Sequence, residues 1–218
     1  MTRKQWQLFW FVSIIWFGLI VVVHYHMDFP VSRYVHASFN PNSKFISFVH
    51  IWSDFGYGWP YLVGFAVLFL LGKFVLHKPR LAFYSAYLWC CAAISGVICD
   101  LLKLIFGRPR PSLLFDHHVS QFIFMGHRTF NANGYTSFPS GHATTAASVA
   151  IGVMLLFPRW RIVSIAMMLS VAAARVLLLR HYVADVMAGM YLGTVTAYFL
   201  YRYMQGRFSV ALQGVLVK

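Results

Sequence analysis

Residues 81–111 read LAFYSAYLWCCAAISGVICDLLKLIFGRPRP. The opening part is apolar for longer than the roughly 20 residues a helix needs to cross a hydrocarbon layer. It then runs into Lys103, Arg108 and Arg110. Cations at the end of a span are costly unless they meet water, protein or a ligand. This one stretch therefore predicts both a membrane helix and a site at its end.

Working outward, five further apolar runs appear, at 6–23, about 57–76, about 142–157, 162 to about 179, and about 182–201; the third span is 81 to about 104. The expected fold is all-α, a six-span transmembrane bundle forming a single domain over 1–218. Composition agrees. Apolar residues make up 60% of the 218 and charged residues 11%, against about 25% charged in a soluble domain, and mean hydropathy is +0.65. A disordered chain, a coiled coil, a disulfide scaffold and an ordinary soluble enzyme all fit badly. The first run follows Arg3 and Lys4 and ends in His24-Tyr25-His26 without a small-residue cleavage site, so it is expected to be a retained helix.

The net charge is +13. Nucleic acid is not the expected partner, because the basic residues stand one to three at a time between apolar runs. Most are topology signals at a lipid surface. With the N-terminus inside, ten basic residues fall on the inner side and eight on the outer. Several of the outer eight belong to the cationic cluster described next. The expectation is a multi-pass protein of the bacterial cytoplasmic (inner) membrane, both termini cytoplasmic and the site on the periplasmic face. Cys90, Cys91 and Cys99 lack metal or redox spacing and read as small buried hydrophobes. No Glu occurs, which excludes sites built on paired glutamates. Two connections are long. Residues 24–56 include an apolar piece (Phe45, Ile46, Val49, Trp52) expected to lie in the interface. Residues 107–140 are rich in Gly, Pro, His and Asn and expected to be functional.

Three segments place ionisable groups at span ends on one side of the membrane: Lys103 to Pro111, Phe138 to His142, and Arg175 to Asp185. Lys103, Arg110 and Arg175 supply positive charge, and arginine forks suit a tetrahedral oxyanion. Ser140 and Gly141 open an apolar helix whose N-terminal amides favour an anion. Ser140 adds a hydroxyl donor and Gly141 allows close approach. His181 and Asp185, four residues apart, share one face if helical. A carboxylate on one imidazole nitrogen makes the other a better nucleophile, and His142 is placed to protonate a leaving oxygen. These are the parts for phosphoryl transfer without a metal or other cofactor, the basic groups stabilising the equatorial oxygens.

The residues resemble the type 2 phosphatidic acid phosphatase superfamily. Its pattern is Lys, six residues, Arg-Pro; then Pro-Ser-Gly-His; then Ser-Arg, five residues, His, three residues, Asp. Lys103 with Arg110-Pro111, Pro139 to His142, and Arg175 with His181 and Asp185 match these elements. The resemblance implies His181 as nucleophile through a phosphohistidine, Asp185 as its partner and His142 as general acid. It further implies Lys103, Arg110, Ser140, Gly141 and Arg175 as phosphate ligands, a six-helix core and no metal. Ala174 stands where the family has Ser, which removes one hydroxyl contact.

Other ionisable groups read more plainly. His24, His26, His36, His50 and His77 are expected to be interfacial or solvated. His117, His118 and His127 in the long loop are expected to touch a headgroup rather than a metal. Asp100 pairs with Lys103 one turn on. Arg108 and Arg180 are read as indirect or lipid-headgroup contacts, and Trp6, Trp52, Trp59 and Tyr201 as interface anchors. The expected activity is metal-independent hydrolysis of a bacterial envelope lipid phosphate or diphosphate. Undecaprenyl diphosphate, phosphatidylglycerophosphate, phosphatidic acid and lipid A all fit, with loop 112–138 selecting among them. A lipid-to-lipid phosphotransferase would use the same first half-reaction. A transporter predicts inverted repeats that are not seen, and a vanadate haloperoxidase fits badly with six spans. Oligomeric state is not legible.

Overall fold

A computed structural model of the chain describes residues 2–117 and 134–216. The readings of His118 and His127, and most of loop 112–138, lie outside the described residues. The described chain forms α1 (Arg3–His26), α2 (Asp28–Ser38), α3 (Lys44–Ser53), α4 (Gly58–Leu70), α5 (Pro79–Phe106), α6 (Pro111–His117), α7 (Gly141–Leu156), α8 (Arg161–Leu177) and α9 (Val183–Leu216), with no strand among these residues.

Five helical segments, Arg3–His26, Gly58–Val75, Pro79–Phe115, Pro158–Leu177 and Val183–Gln205, are long and apolar enough to cross a membrane. The sixth expected span is α7, which has only 16 residues. It can be short because protein rather than lipid surrounds it. It packs most extensively on α9 and also against α8 and α5. Ala143, Thr144, Ala147 and Ser148 are fully enclosed along it. Small side chains let helix backbones approach closely in a bilayer, where dispersion rather than water exclusion drives association. Gly193 marks the tightest point of this packing. A Cβ there would collide with the Thr144 carbonyl oxygen and lie 2.7 Å from Ser148 N.

The outer helices show apolar side chains to lipid. Phe11, Ile14, Val63, Phe74 and Ile162 are all exposed. Cores lie between helices: Tyr87, Leu88 and Cys91 of α5 against Ala197 of α9, and Ile20 of α1 against Ala184 and Ala188 of α9. Cys91 and Cys99 are buried, as expected, and Cys90 is half-buried.

Residues 24–56 differ from the expected loop. They fold into α2 and α3, because Asp28 occupies the first turn of α2 and Pro30 falls where its missing N–H costs nothing. α3 buries Ile46 and Val49 and packs on α8. The indole of Trp52 donates to Ser170 Oγ at 2.9 Å, so it fastens α3 to α8 rather than serving as a free anchor. Both helices lie over the end of the bundle where α5 and α8 finish and α7 and α9 begin.

Replacing Gly193 by Ala forces the α7–α9 backbones apart. Overpacking of this kind costs about 1–3 kcal/mol, a fall of several degrees in thermal midpoint in detergent. Gly64→Ala is the control: nothing lies within 4 Å of its Cβ position, and the midpoint should hold. Equal midpoints for the two variants would contradict this packing.

Candidate active site

The site is assembled from four chain ends at one end of the bundle. α5 closes on Gly107 in a left-handed conformation, φ 46°, which turns the chain so that Arg108 and Arg110 follow at once. Two backbone bonds hold this turn to the segment before α7: Arg110 N to Gly134 O at 2.7 Å and Ser137 N to Arg108 O at 3.0 Å. α7 then starts at Gly141, with Ser140 as N-cap accepting from Ala143 N at 3.5 Å. The Ser140 amide donates to the Asp185 carbonyl at 3.0 Å, which joins the starts of α7 and α9. The α8–α9 turn passes through Leu179 at φ 51°, a strained conformation for a branched side chain. The amides of Arg180 and His181 bond back to the Arg175 carbonyl at 3.2 and 3.3 Å.

These connections bring together all eight residues singled out from the sequence. Lys103 pairs with Asp100 at 2.8 Å, as expected, and its Nζ stands 3.0 Å from where a Cβ on Gly141 would be. A side chain there would press the ammonium away from the helix start by a few tenths of an ångström. Arg175 donates to Ser53 Oγ at 2.8 Å and Arg110 to Thr136 Oγ1 at 3.1 Å. The His142 ring packs on Tyr57, centroids 4.5 Å apart, and lies within electrostatic reach of Arg175, His181, Lys103 and Arg110.

Three buried side-chain nitrogens among the described residues have no hydrogen-bond partner: Arg110 Nε, His142 Nε2 and Arg175 Nε. Leaving one such group unpaired costs about 1–3 kcal/mol. All three belong to the residues assigned to the site from the sequence. Nitrogens of this kind, gathered at one place and two of them on guanidinium groups, suit an anion. No group of three or more His, Cys, Asp or Glu able to hold a metal occurs among the described residues. The donor set is cationic and suits a phosphate.

The nucleophile candidate is held differently from the sequence expectation. His181 precedes α9, so the pair with Asp185 is not a pair on one helix face. Its Nδ1 lies 2.7 Å from the Ser137 carbonyl oxygen but 3.8 Å from Asp185 Oδ2. A carbonyl only accepts, so Nδ1 carries the proton and Nε2 keeps its lone pair. Burial pushes the imidazole down to about 4; the Asp185 carboxylate opposes this, and the charges of Arg175 and Arg110 add to it. His181 is therefore neutral at pH 7. Burial and the neighbouring Arg180 charge also lower Arg110 from its ordinary value.

Asp185 itself receives bonds from Arg108 Nη1, Ser137 Oγ and, at 2.8 Å, the Tyr182 amide. For Arg108 the indirect role holds, and the headgroup alternative does not. It is 2% exposed and bridges Asp185 to Asp28, with Nη2 2.7 Å from Asp28 Oδ2, so it does not face lipid headgroups. Burial alone would lower its guanidinium, but Asp185 and Asp28 raise it on balance above the ordinary value. His24 departs from its expected interfacial place. Its Nδ1 is 3.0 Å from both Asp28 and Arg108, so it belongs to this network, whereas His26, His36, His50 and His77 are exposed. Asp28, Ser53, Thr136 and Ser137 were not singled out. Asp28 carried a signal nonetheless, because a buried arginine needs a carboxylate and the chain has only five.

The chain is similar to several known proteins. A lipid A 1-phosphatase of Rhizobium etli is 39% identical over 110 residues, 50% of this chain and 45% of that protein. A lipid A 1-phosphatase of Rhizobium johnstonii is likewise 39% identical over 110 residues, 50% of this chain and 43% of its own length. The matched segment thus spans less than half of these relatives. The crystal structure of Aquifex aeolicus LpxE has the same fold, with TM-score 0.58 and 19% identity over 81% of this chain and 96% of that one. So has the first transmembrane PAP2 type phosphatidylglycerolphosphate phosphatase from Bacillus subtilis, with TM-score 0.60 and 17% identity over 89% and 94%. Residues 84–209, which include all eight residues singled out from the sequence, match the PAP2 superfamily, and the chain belongs to that superfamily.

Proposed function

We propose that this multi-pass membrane protein is a metal-independent lipid phosphatase, with His181 as nucleophile. The supporting observation is the trio of buried unpaired nitrogens on Arg110, His142 and Arg175 beside a neutral His181. The phosphate takes their hydrogen bonds, with Lys103, the Ser140 hydroxyl and the first amides of α7 completing the cage. His181 Nε2 attacks phosphorus, the bond from phosphorus to the lipid oxygen breaks, and His142 gives that oxygen its proton. The product is phosphohistidine and a lipid alcohol, or a lipid monophosphate when the substrate is a diphosphate. His142 then takes a proton from water, the hydroxide attacks phosphorus, the P–N bond breaks and inorganic phosphate leaves. Fixed guanidinium and ammonium charges stabilise the equatorial oxygens, the task a metal ion performs elsewhere.

A lipid substrate is supported by a cavity of about 490 Å³ between α4 and α5. It is lined by Trp59, Leu62, Trp89 and Val97 and reaches Gly141 and His142. The candidates are lipid A, phosphatidylglycerophosphate, phosphatidic acid and undecaprenyl diphosphate, and the names of the Rhizobium relatives put the 1-phosphate of lipid A first. The protein sits in the bacterial inner membrane with both termini cytoplasmic and the cage at the periplasmic face. The alternation of the spans and the surplus of basic residues on the side away from the cage support this orientation.

Purified protein should release phosphate from at least one of these lipids in excess EDTA and be inhibited by vanadate. His181→Ala should lower turnover by about 10³-fold or more. Activity lost in EDTA and restored by a divalent ion would contradict the proposal. The pH profile gives a second check. A nucleophile must be unprotonated, and His181 titrates near 4 rather than the ordinary value of about 6.5. After correction for the substrate's own ionisation, kcat/KM should hold as pH falls through 6.5 and decline only towards 4. A decline centred at 6.5 would refute the buried, neutral His181.

A further inference from the structure

α9 begins at Val183, directly after Tyr182, a residue whose side chain has no acceptor to offer the first turn. Asp185 covers one half of the missing cap by accepting from the Tyr182 amide at 2.8 Å, as an acidic third residue does in a capping box. The other half comes from a distant element. Asp28, at the start of α2, accepts from the Ala184 amide through Oδ1 at 2.9 Å. Its other oxygen, Oδ2, accepts from Arg108 at 2.7 Å, and Arg108 reaches on to Asp185. The Arg108 guanidinium also lies over the Tyr182 ring, its Cζ 4.1 Å from the ring centroid. Asp28 and Asp185 are 0% exposed.

One guanidinium thus holds two buried carboxylates that both grip the start of α9, and the carbonyl of Arg108 accepts from Ser137 N at 3.0 Å. Ser137 in turn presents its carbonyl to His181 Nδ1 at 2.7 Å and its hydroxyl to Asp185. A buried ion triad is a poor way to gain stability, since desolvation consumes most of the attraction. Fixing a nucleophile is a better use, because small displacements of a reacting group cost large factors in rate.

We propose that Arg108 and Asp28 are positioning residues for phosphoryl transfer: the Asp28–Arg108–Asp185 bridge sets Ser137 and the start of α9 so that His181 presents Nε2 to the phosphate. Asp28 lies outside residues 84–209, so α2 helps to position the reacting groups of this chain rather than only to anchor it. The inference rests on His181 being the nucleophile.

The test uses the full chain in detergent with the lipid phosphate it hydrolyses. Asp28→Asn keeps the Oδ1 acceptor for Ala184 and removes the charge and the oxygen that face Arg108 and His24. It should lower kcat about 10-fold or more with KM within about twofold, because neither residue touches the phosphate. Arg108→Gln should lower kcat further and also raise the acid limb of the pH profile. His181 is faced by Asp185 from α9, Arg175 from α8, Arg110 after α5 and His142 from α7. Removing Arg108 leaves Asp185 uncompensated and favours the imidazolium, whereas loss of stability alone would leave that limb in place. Wild-type kcat in Asp28→Asn, or an unmoved acid limb in a folded Arg108→Gln, overturns the proposal. If Arg108→Gln does not fold, the kcat and KM of Asp28→Asn decide. His181→Ala separates the two readings. If it stays active, the nucleophile assignment fails; if it is dead while Asp28→Asn is fully active, only the positioning role fails.

Discussion

Buried positive charge without matching negative charge is the condition on which the rest of this protein depends. Lys103, Arg110 and Arg175 converge at the end of the bundle, yet of the chain's few carboxylates Asp100 goes to Lys103 and Asp185 to Arg108. The two remaining arginines keep an unpaired Nε each, and His142 an unpaired Nε2. Such groups are expensive to hold in a folded protein. A ligand carrying several acceptor oxygens and negative charge satisfies all three at once, and a phosphate has that shape and charge.

The remainder of the fold serves to hold that cluster rigid. α7 carries the Ser140–His142 segment into the centre of the bundle, and its small side chains let α9 lie close beside it. The Ser140–Asp185 backbone bond then couples the two helix starts. α2 and α3 add side chains from outside the helical core, Asp28 to Arg108 and Ser53 to Arg175. The site therefore leans on α2 and α3 as well as on the ends of α5, α7, α8 and α9, although the residues expected to touch phosphate come from three short segments.

Much of this was legible in the amino-acid order, for physical reasons. The spans stood out because lipid demands long apolar runs, and the cage stood out because cations at span ends demand an explanation. What was hidden depended on folding at a distance. α2 and α3 are short and mixed in polarity, so Asp28 and Ser53 sat in what read as a loop. Arg108 read equally as an indirect or a headgroup contact because its two carboxylates lie about 80 residues away on either side in the chain. The His181–Asp185 spacing suggested a direct bond. The turn at Leu179 to Tyr182 instead puts Nδ1 against the Ser137 carbonyl, and no local spacing encodes that contact.

A structure of the protein with vanadate bound tests the central claim most directly. The account requires vanadium attached to His181 Nε2, with vanadate oxygens accepting from Arg110 Nε and Arg175 Nε and one oxygen facing His142 Nε2. Vanadate attached to another side chain, or bound with those three nitrogens still unpaired, would contradict it.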